Sequence, residues 1–185
     1  MVKRSLDITL SLISILIFSP LLIPIIVLLK MTGEGYVFYK QKRVGQDNKL
    51  FDLLKFATMF NDSPNMAGGN ITSKNDPRIL PIGNLLRKYK INELPQIINV
   101  LIGDMSIIGR RPTVLEHYNF YDEDVKNTLS KYKPGLSGIS SIIFRNEEQY
   151  FTGKSPERNK IFYRNKITPF KGKLEIWYCQ NQTVL

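Results

Sequence analysis

The chain has a single cysteine, Cys179, and a single histidine, His117, among its 185 residues. One thiol cannot form an internal disulfide, which suits a reducing compartment. One His and one Cys exclude a His/Cys metal site within the chain, so any metal must be a hard cation held by oxygen. The sequence also lacks a block of like charge, a zinc-ligand pattern, an aromatic RNA-binding signature and any internal repeat. Its formal net charge of +10, from 26 Lys and Arg against 16 Asp and Glu, is scattered along the chain. Nucleic acid is therefore not among the expected partners, and anionic lipid and phosphorylated substrates remain.

What is present is a long uncharged run from Ile8 to Leu29, with Lys3 and Arg4 before it and Lys30 after it. About 20 helical residues cross a bilayer core, but Ser19-Pro20 and Pro24 interrupt this run, and proline removes a backbone donor and clashes with the preceding turn. Basic residues prefer the cytoplasmic side, and here they stand at both ends. That charge pattern favours a re-entrant helix-break-helix that enters one leaflet and returns, with Ser19 placed to bond the backbone groups that Pro20 leaves unpaired. A single-pass anchor is the main rival, because membrane helices tolerate proline. A cleaved signal peptide would need a small-residue cleavage site, which Lys30-Met31-Thr32 does not offer. The expected organisation is a membrane segment over residues 1–30 and one compact domain over 31–185 on the cytoplasmic side.

The fold class expected is α+β, mainly helical. The aromatic and β-branched Tyr36-Val37-Phe38-Tyr39-Lys40 and the later Leu50 to Phe56 predict a small β-hairpin around Gly45-Gln46-Asp47-Asn48. Asn61 to Asp76 is a long polar loop, of the kind that often covers a site. Ile82 to Lys90 and Pro95 to Ile102 predict short helices, the second stopping at Gly103. Thr113 to Tyr132 predicts one helix with an acidic middle, Asp122-Glu123-Asp124, ended by Pro134-Gly135. Amphipathic helices and basic residues are expected along the surface of one leaflet.

The densest chemical signal runs from Arg87 to Gln96 and on to Gly109-Arg110-Arg111-Pro112. Leu94, Ile97, Ile98 and Leu101 recur at helical spacing. Asn92 stands where an N-cap belongs, with Pro95 in the first turn. A helix N-terminus offers free N–H groups to a phosphate, Arg87 and Arg111 would clamp a diphosphate from either side, and Glu93 would hold a bridging Mg²⁺. The same residues also make an ordinary helix start.

Several further motifs occur in order: Lys3-Arg4 with Asp7, Phe18-Ser19-Pro20, Gln41-Lys42-Arg43-Val44-Gly45, Lys55-Phe56 with Thr58-Met59, Asp76-Pro77-Arg78, Glu93-Leu94-Pro95-Gln96, Gly103-Asp104-Met105-Ser106 and Lys133-Pro134-Gly135-Leu136-Ser137-Gly138. On these the chain resembles, over nearly its whole length, the bacterial monotopic phosphoglycosyltransferases, or bacterial sugar transferases. The resemblance implies a re-entrant hairpin broken at Ser19-Pro20, an inner-membrane location on the cytoplasmic face, and transfer of a phosphosugar from a UDP-sugar to polyprenol (undecaprenyl) phosphate with Mg²⁺, releasing UMP. This would be the first membrane step of surface glycan assembly. A homodimer is compatible with it.

The family uses an Asp-Glu dyad in which the aspartate forms a covalent phosphosugar intermediate and the glutamate serves the metal. Glu93 matches the second member, but Asn92 stands in the place of the first, and an amide is no substitute for a carboxylate nucleophile. Glu93 as nucleophile, direct attack by the lipid phosphate, and a noncatalytic membrane-bound binding partner in glycan assembly all stay open. Ala57 and Arg110 replace a family arginine and proline. The resemblance also places Lys55, Ser137, Arg145 and Glu175 near the donor, while Trp177 and Tyr178 suit a membrane interface. His117 and Cys179 carry no expected chemistry.

Overall fold

A computed structural model describes residues 2–32, 34–66, 70–73, 75–151 and 155–182. Gly33 of the predicted turn and residues 67–69 and 74 of the predicted loop lie outside them. The described chain is mainly helical, with two small two-stranded sheets and one long apolar helix at its start.

That helix, α1, runs from Val2 to Met31 with Pro20 and Pro24 inside it. Where the sequence predicted a break at Ser19-Pro20, the backbone stays helical. Helical backbone survives because Ser19 Oγ donates to the Leu16 carbonyl at 2.8 Å, the acceptor that a residue with an N–H at position 20 would have served. At 1.5 Å per residue such a helix is about 45 Å long.

Both ends of α1 are held by the rest of the protein. Near its start, Arg4 donates to the Val100 and Leu101 carbonyls at 2.6 and 2.7 Å, and the buried Asp7 accepts from Ser106 Oγ and the Ile107 N–H at 3.1 and 3.0 Å. Near its end, Ile25 and Leu29 pack with Phe56 and Leu86 in one buried cluster. Between these anchor points Leu10, Leu12, Ile13, Leu16, Ile17, Leu21 and Ile23 are exposed.

Strands β1 (Phe38–Val44) and β2 (Leu50–Phe56) form the predicted antiparallel hairpin, in the register Tyr39↔Lys55 and Gln41↔Leu53. The first strand reaches further than expected and takes in Gln41-Lys42-Arg43. Helix α2 (Pro81–Lys88) and helix α3 (Gln96–Ile102) follow. Asn99 ties α3 to β2, its amide donating to the Asp52 carbonyl at 2.8 Å and accepting from the Leu54 N–H at 2.9 Å. Helix α3 ends at Gly103, as expected, where φ is +102° and a side chain would meet Arg4.

Strand β3 (Ser106–Ile108) then pairs in parallel with β4 (Gly135–Ser137), a pairing the sequence did not announce. The single helix expected over Thr113 to Tyr132 is two, α4 (Leu115–Tyr118) and α5 (Glu123–Ser130). The acidic stretch explains the restart: Asp122 is the N-cap residue and Glu123 and Asp124 occupy the first turn, where carboxylates are favoured by the helix dipole. Helices α6 (Ile139–Ile143), α7 (Pro156–Phe162) and α8 (Thr168–Gln180) complete the chain, with a wide π-turn over Tyr163–Ile167 leading into α8.

Candidate active site

Strand alternation explains how the site begins. Successive side chains on a strand point to opposite faces, so Tyr39, Gln41 and Arg43 share one face of β1, and Lys55 stands on β2 directly across from Tyr39. All four line one cleft, joined by Arg87, Lys90, Asn92, Glu93, Arg111, Arg145, Glu147, Glu148, Tyr163 and Lys171. The Asp76-Pro77-Arg78 motif shapes its wall rather than its chemistry. Arg78 pairs with Asp76 at 2.7 Å, both side chains buried, and also donates to the Ser63 and Ile71 carbonyls, each at 2.9 Å, which pins the polar loop beside the cleft.

Cations outnumber carboxylates here, and several have no carboxylate partner among the described residues. Arg43 donates to the Pro112 carbonyl at 3.0 Å and to Gln41 Oε1 at 2.6 Å, while its buried Nε has no acceptor. Lys55 reaches the same Gln41 oxygen at 3.5 Å. Burial and the Arg43 charge bring the Lys55 ammonium down to about 7, and burial with Arg111 brings Arg43 to about 10. Two cations sharing one neutral acceptor are short of negative charge, which an anionic ligand would supply.

Glu93 faces this group. Burial raises its pKa, but Lys55, Arg111, Lys90 and Arg43 outweigh that and hold the carboxyl below its usual range. The other two carboxylates of the cleft are engaged: Glu147 pairs with Lys171 and, at 3.5 Å, with Arg111, and Glu148 pairs with Arg87 at 3.3 Å. Glu93 makes no ion pair among the described residues.

Asn92 lies in a short 3-10 turn over Ile91–Glu93 and caps nothing; α3 starts four residues later, with Pro95 at its N-cap position. The expected phosphate cradle at a helix N-terminus is therefore replaced by side-chain cations. The turn puts Asn92 at the cleft, where it is 5% exposed and its Oδ1 has no hydrogen-bond partner among the described residues. No group of three His, Cys, Asp or Glu side chains forms a metal-ligating cluster among the described residues. A hard cation is offered the Glu93 carboxylate and the unpartnered Asn92 oxygen. That protein share fits Mg²⁺, which keeps waters and substrate phosphates in its shell.

Of the residues singled out from sequence, Lys55, Arg87, Asn92, Glu93, Arg111 and Arg145 meet at the cleft. Ser137 does not: it sits on β4, exposed, with its carbonyl bonded to the Gly109 N–H. Glu175 does not line the cleft either. It is 2% exposed on α8 and accepts from the Arg111 N–H at 2.9 Å, so it braces Arg111 from behind, and burial raises its pKa. Arg110 points away from the cleft into the protein, donating to the carbonyls of Leu129, Tyr132, Val44 and Gly45, so its replacement of proline leaves the cleft lining unchanged. Ala57 lines the cleft. Arg43, Gln41, Lys90, Glu147, Glu148 and Lys171 are cleft residues that sequence reasoning did not assign. For Gln41 and Arg43 the signal was available, in the two-residue period of β1.

Comparison with known proteins completes this picture. The profile of a family described as bacterial sugar transferases matches residues 1–185. The chain belongs to the bacterial sugar transferase family. The transferase is 37% identical over 166 residues to the exopolysaccharide production protein ExoY of Rhizobium meliloti, covering 82% of this chain and 73% of that protein. It is 37% identical over 144 residues to the UDP-glucose:undecaprenyl-phosphate glucose-1-phosphate transferase of Escherichia coli, covering 77% of this chain and 31% of that one. With the undecaprenyl-phosphate galactose phosphotransferase of Salmonella typhimurium it shares 36% identity over 197 residues, covering 98% of this chain and 37% of the relative. This bacterial sugar transferase thus spans about a third of the length of the latter two.

Proposed function

We propose that this chain moves a sugar phosphate from a UDP-sugar to undecaprenyl or another polyprenol phosphate, releasing UMP, at the cytoplasmic face of a bacterial inner membrane. The observation that carries the reading is the pair Arg43 and Lys55, set beside Glu93 yet ion-paired to no carboxylate among the described residues. Such a site suits a reaction in which both substrates bring phosphate. The names of the relatives supply the acceptor and the kind of group transferred.

In this reading an oxygen of the lipid phosphate attacks the sugar-bearing phosphorus, the bond to the leaving phosphate breaks, and UMP departs. Asn92 cannot serve as a covalent nucleophile, and with Glu93 assigned to the metal in this reading the transfer is direct. Lys55, Arg43 and Arg111 hold the diphosphate and stabilise charge that develops as the bond breaks. Glu93 and the Asn92 oxygen would hold Mg²⁺, which when bound neutralises negative charge on the phosphates.

The membrane segment acts as a re-entrant helix in this reading, without the break expected at Ser19-Pro20. Both ends of α1 rest on the same protein body while its apolar middle is bare, an arrangement that suits entry and return from one leaflet rather than a crossing. Exposed apolar residues, Leu85 on α2, Tyr89 at its C-cap and Phe170 and Trp177 on α8 among them, supply interfacial contact.

Asn92 favours one second reading, a donor-binding protein of the membrane that does not turn over. The deciding assay measures UMP released from UDP-sugars with undecaprenyl phosphate and Mg²⁺. Turnover that depends on acceptor and disappears in Glu93→Gln supports direct transfer. UMP release without acceptor would reject it. Silence in the chain itself, with activity in Asn92→Asp, would establish the binding-only reading.

A further inference from the structure

Lys90 adopts φ +59° and ψ 17°, the left-handed region. It follows Tyr89, the C-cap of α2, and so occupies the position where glycine is the usual residue because a β-carbon is strained there. The other non-glycine residues described with positive φ are Asp47, Asn48 and Asn75, types that tolerate this conformation. A lysine here is the exception, and its side chain lines the cleft without an ion-pair partner among the described residues.

Its neighbours locate it. On one side Ile91 packs with Leu86 and Ile82 against Ile25 and Leu29 of α1. On the other side Tyr89 is 59% exposed, as is Leu85 at 52%, with Lys88 Nζ 5.4 Å from the Tyr89 ring centre. Lys90 therefore lines the cleft one residue away from the cluster that holds the end of α1.

We propose that Lys90 receives the phosphate of the lipid acceptor, a long-chain prenyl monophosphate whose first isoprene units lie along Leu85 and Tyr89 beside α1. This rests on the acceptor reading given above. Charge complementarity selects this occupant: Lys90 has no ion pair among the described residues, Leu85 and Tyr89 beside it are exposed and apolar, and the ligand must offer both a phosphate and a hydrocarbon chain.

The test uses the full chain in phosphatidylcholine nanodiscs, with geranylgeranyl phosphate and UDP as separate probes, and the variants Lys90→Gly and Lys90→Arg. Lys90→Gly relieves the left-handed strain, so its melting temperature should rise. Its affinity for geranylgeranyl phosphate should nonetheless fall about tenfold, the loss of one charge-assisted contact. Affinity for UDP should not change, and Lys90→Arg should keep the prenyl phosphate affinity. A parallel fall for UDP would make Lys90 a general cleft cation and overturn the proposal, as would undiminished prenyl phosphate binding by Lys90→Gly. A loss confined to binding of phosphatidylglycerol vesicles would assign the residue to membrane headgroups and overturn it equally. If the unaltered chain bound UDP but no prenyl phosphate, the acceptor reading itself would fall.

Discussion

Ser19 donates its hydroxyl to the Leu16 carbonyl at 2.8 Å, and Leu16 is the residue whose carbonyl Pro20 cannot serve. In water that bond would matter little. In a bilayer an unpaired carbonyl is costly, so Ser19→Ala should lower the stability of the protein in lipid by about 1 kcal/mol, read as a shift in its thermal midpoint in nanodiscs against detergent. Equal midpoints in both media would show that position 19 is not in the hydrocarbon.

The same helix gives a topology prediction. In a Cys179→Ser background, thiols introduced at Lys3 and Glu34 should both react with a membrane-impermeant reagent from the cytoplasmic side. Labelling from opposite sides would replace the re-entrant helix by a crossing one.

Lys55 should make nucleotide binding pH-dependent. Its pKa falls from 10.5 to about 7 because burial, aided by Arg43, disfavours the charged form, and the charged form is the one that holds phosphate. Affinity for UDP should therefore be greatest below about pH 7 and decline as pH rises through that value, while Lys55→Met should bind weakly with a flat profile. Without ligand, the unfolded chain keeps this proton to higher pH than the folded one. The cost of the buried cation is thus fully present below about pH 7 and is relieved as pH climbs toward 10.5, so stability from this group rises over that window. Calorimetric titration with UDP across the range checks the binding; an unchanged profile in Lys55→Met would assign the titration to another group.

Arg110 is fully buried and satisfies four backbone carbonyls. Arg110→Met should cost about 3 kcal/mol or more, since those acceptors lose their donor, while the protein that still folds should bind UDP normally. Weakened UDP binding at an unchanged unfolding midpoint would contradict its place outside the cleft.

Glu175 braces the Arg111 N–H through one oxygen, and its buried carboxyl also faces the Ser140 hydroxyl. Glu175→Gln keeps an acceptor and removes a buried charge, so stability should hold or rise and UDP affinity should stay within about twofold, in line with a neutral hydrogen bond replacing a charged one. Glu175→Val removes the acceptor and should weaken UDP binding through Arg111. A large loss in Glu175→Gln would show that the negative charge itself is needed.

The elements most legible in the sequence were those written in local pattern. The hairpin strands, α2, and α3 with its stop at Gly103 follow from side-chain alternation, helical periodicity and a glycine at a left-handed cap. The Thr113 to Tyr132 region misled because its helical composition is continuous while Asp122 restarts the helix. The parallel β3–β4 pairing joins three-residue strands about thirty positions apart, and nothing local encodes such a partner. Asn92 looked like a cap by type and spacing, yet a 3-10 turn turned it into the cleft.

By itself the sequence determined that an uncharged apolar run lies near the start of the chain, that one cysteine and one histidine make neither an internal disulfide nor a His/Cys metal site, and, through ordered motifs, the family. Only the tertiary structure decided which charges share a cleft. Arg43 and Lys55 come from the hairpin, Glu93 from the turn before α3, Arg111 from the stretch after β3, and Lys171 from α8. It also decided that Glu175 and Arg110 serve from behind or away from that cleft. The physical reason is that periodicity dictates which face of an element is apolar, whereas the ion pairing and desolvation of a charge depend on neighbours brought in from distant parts of the chain.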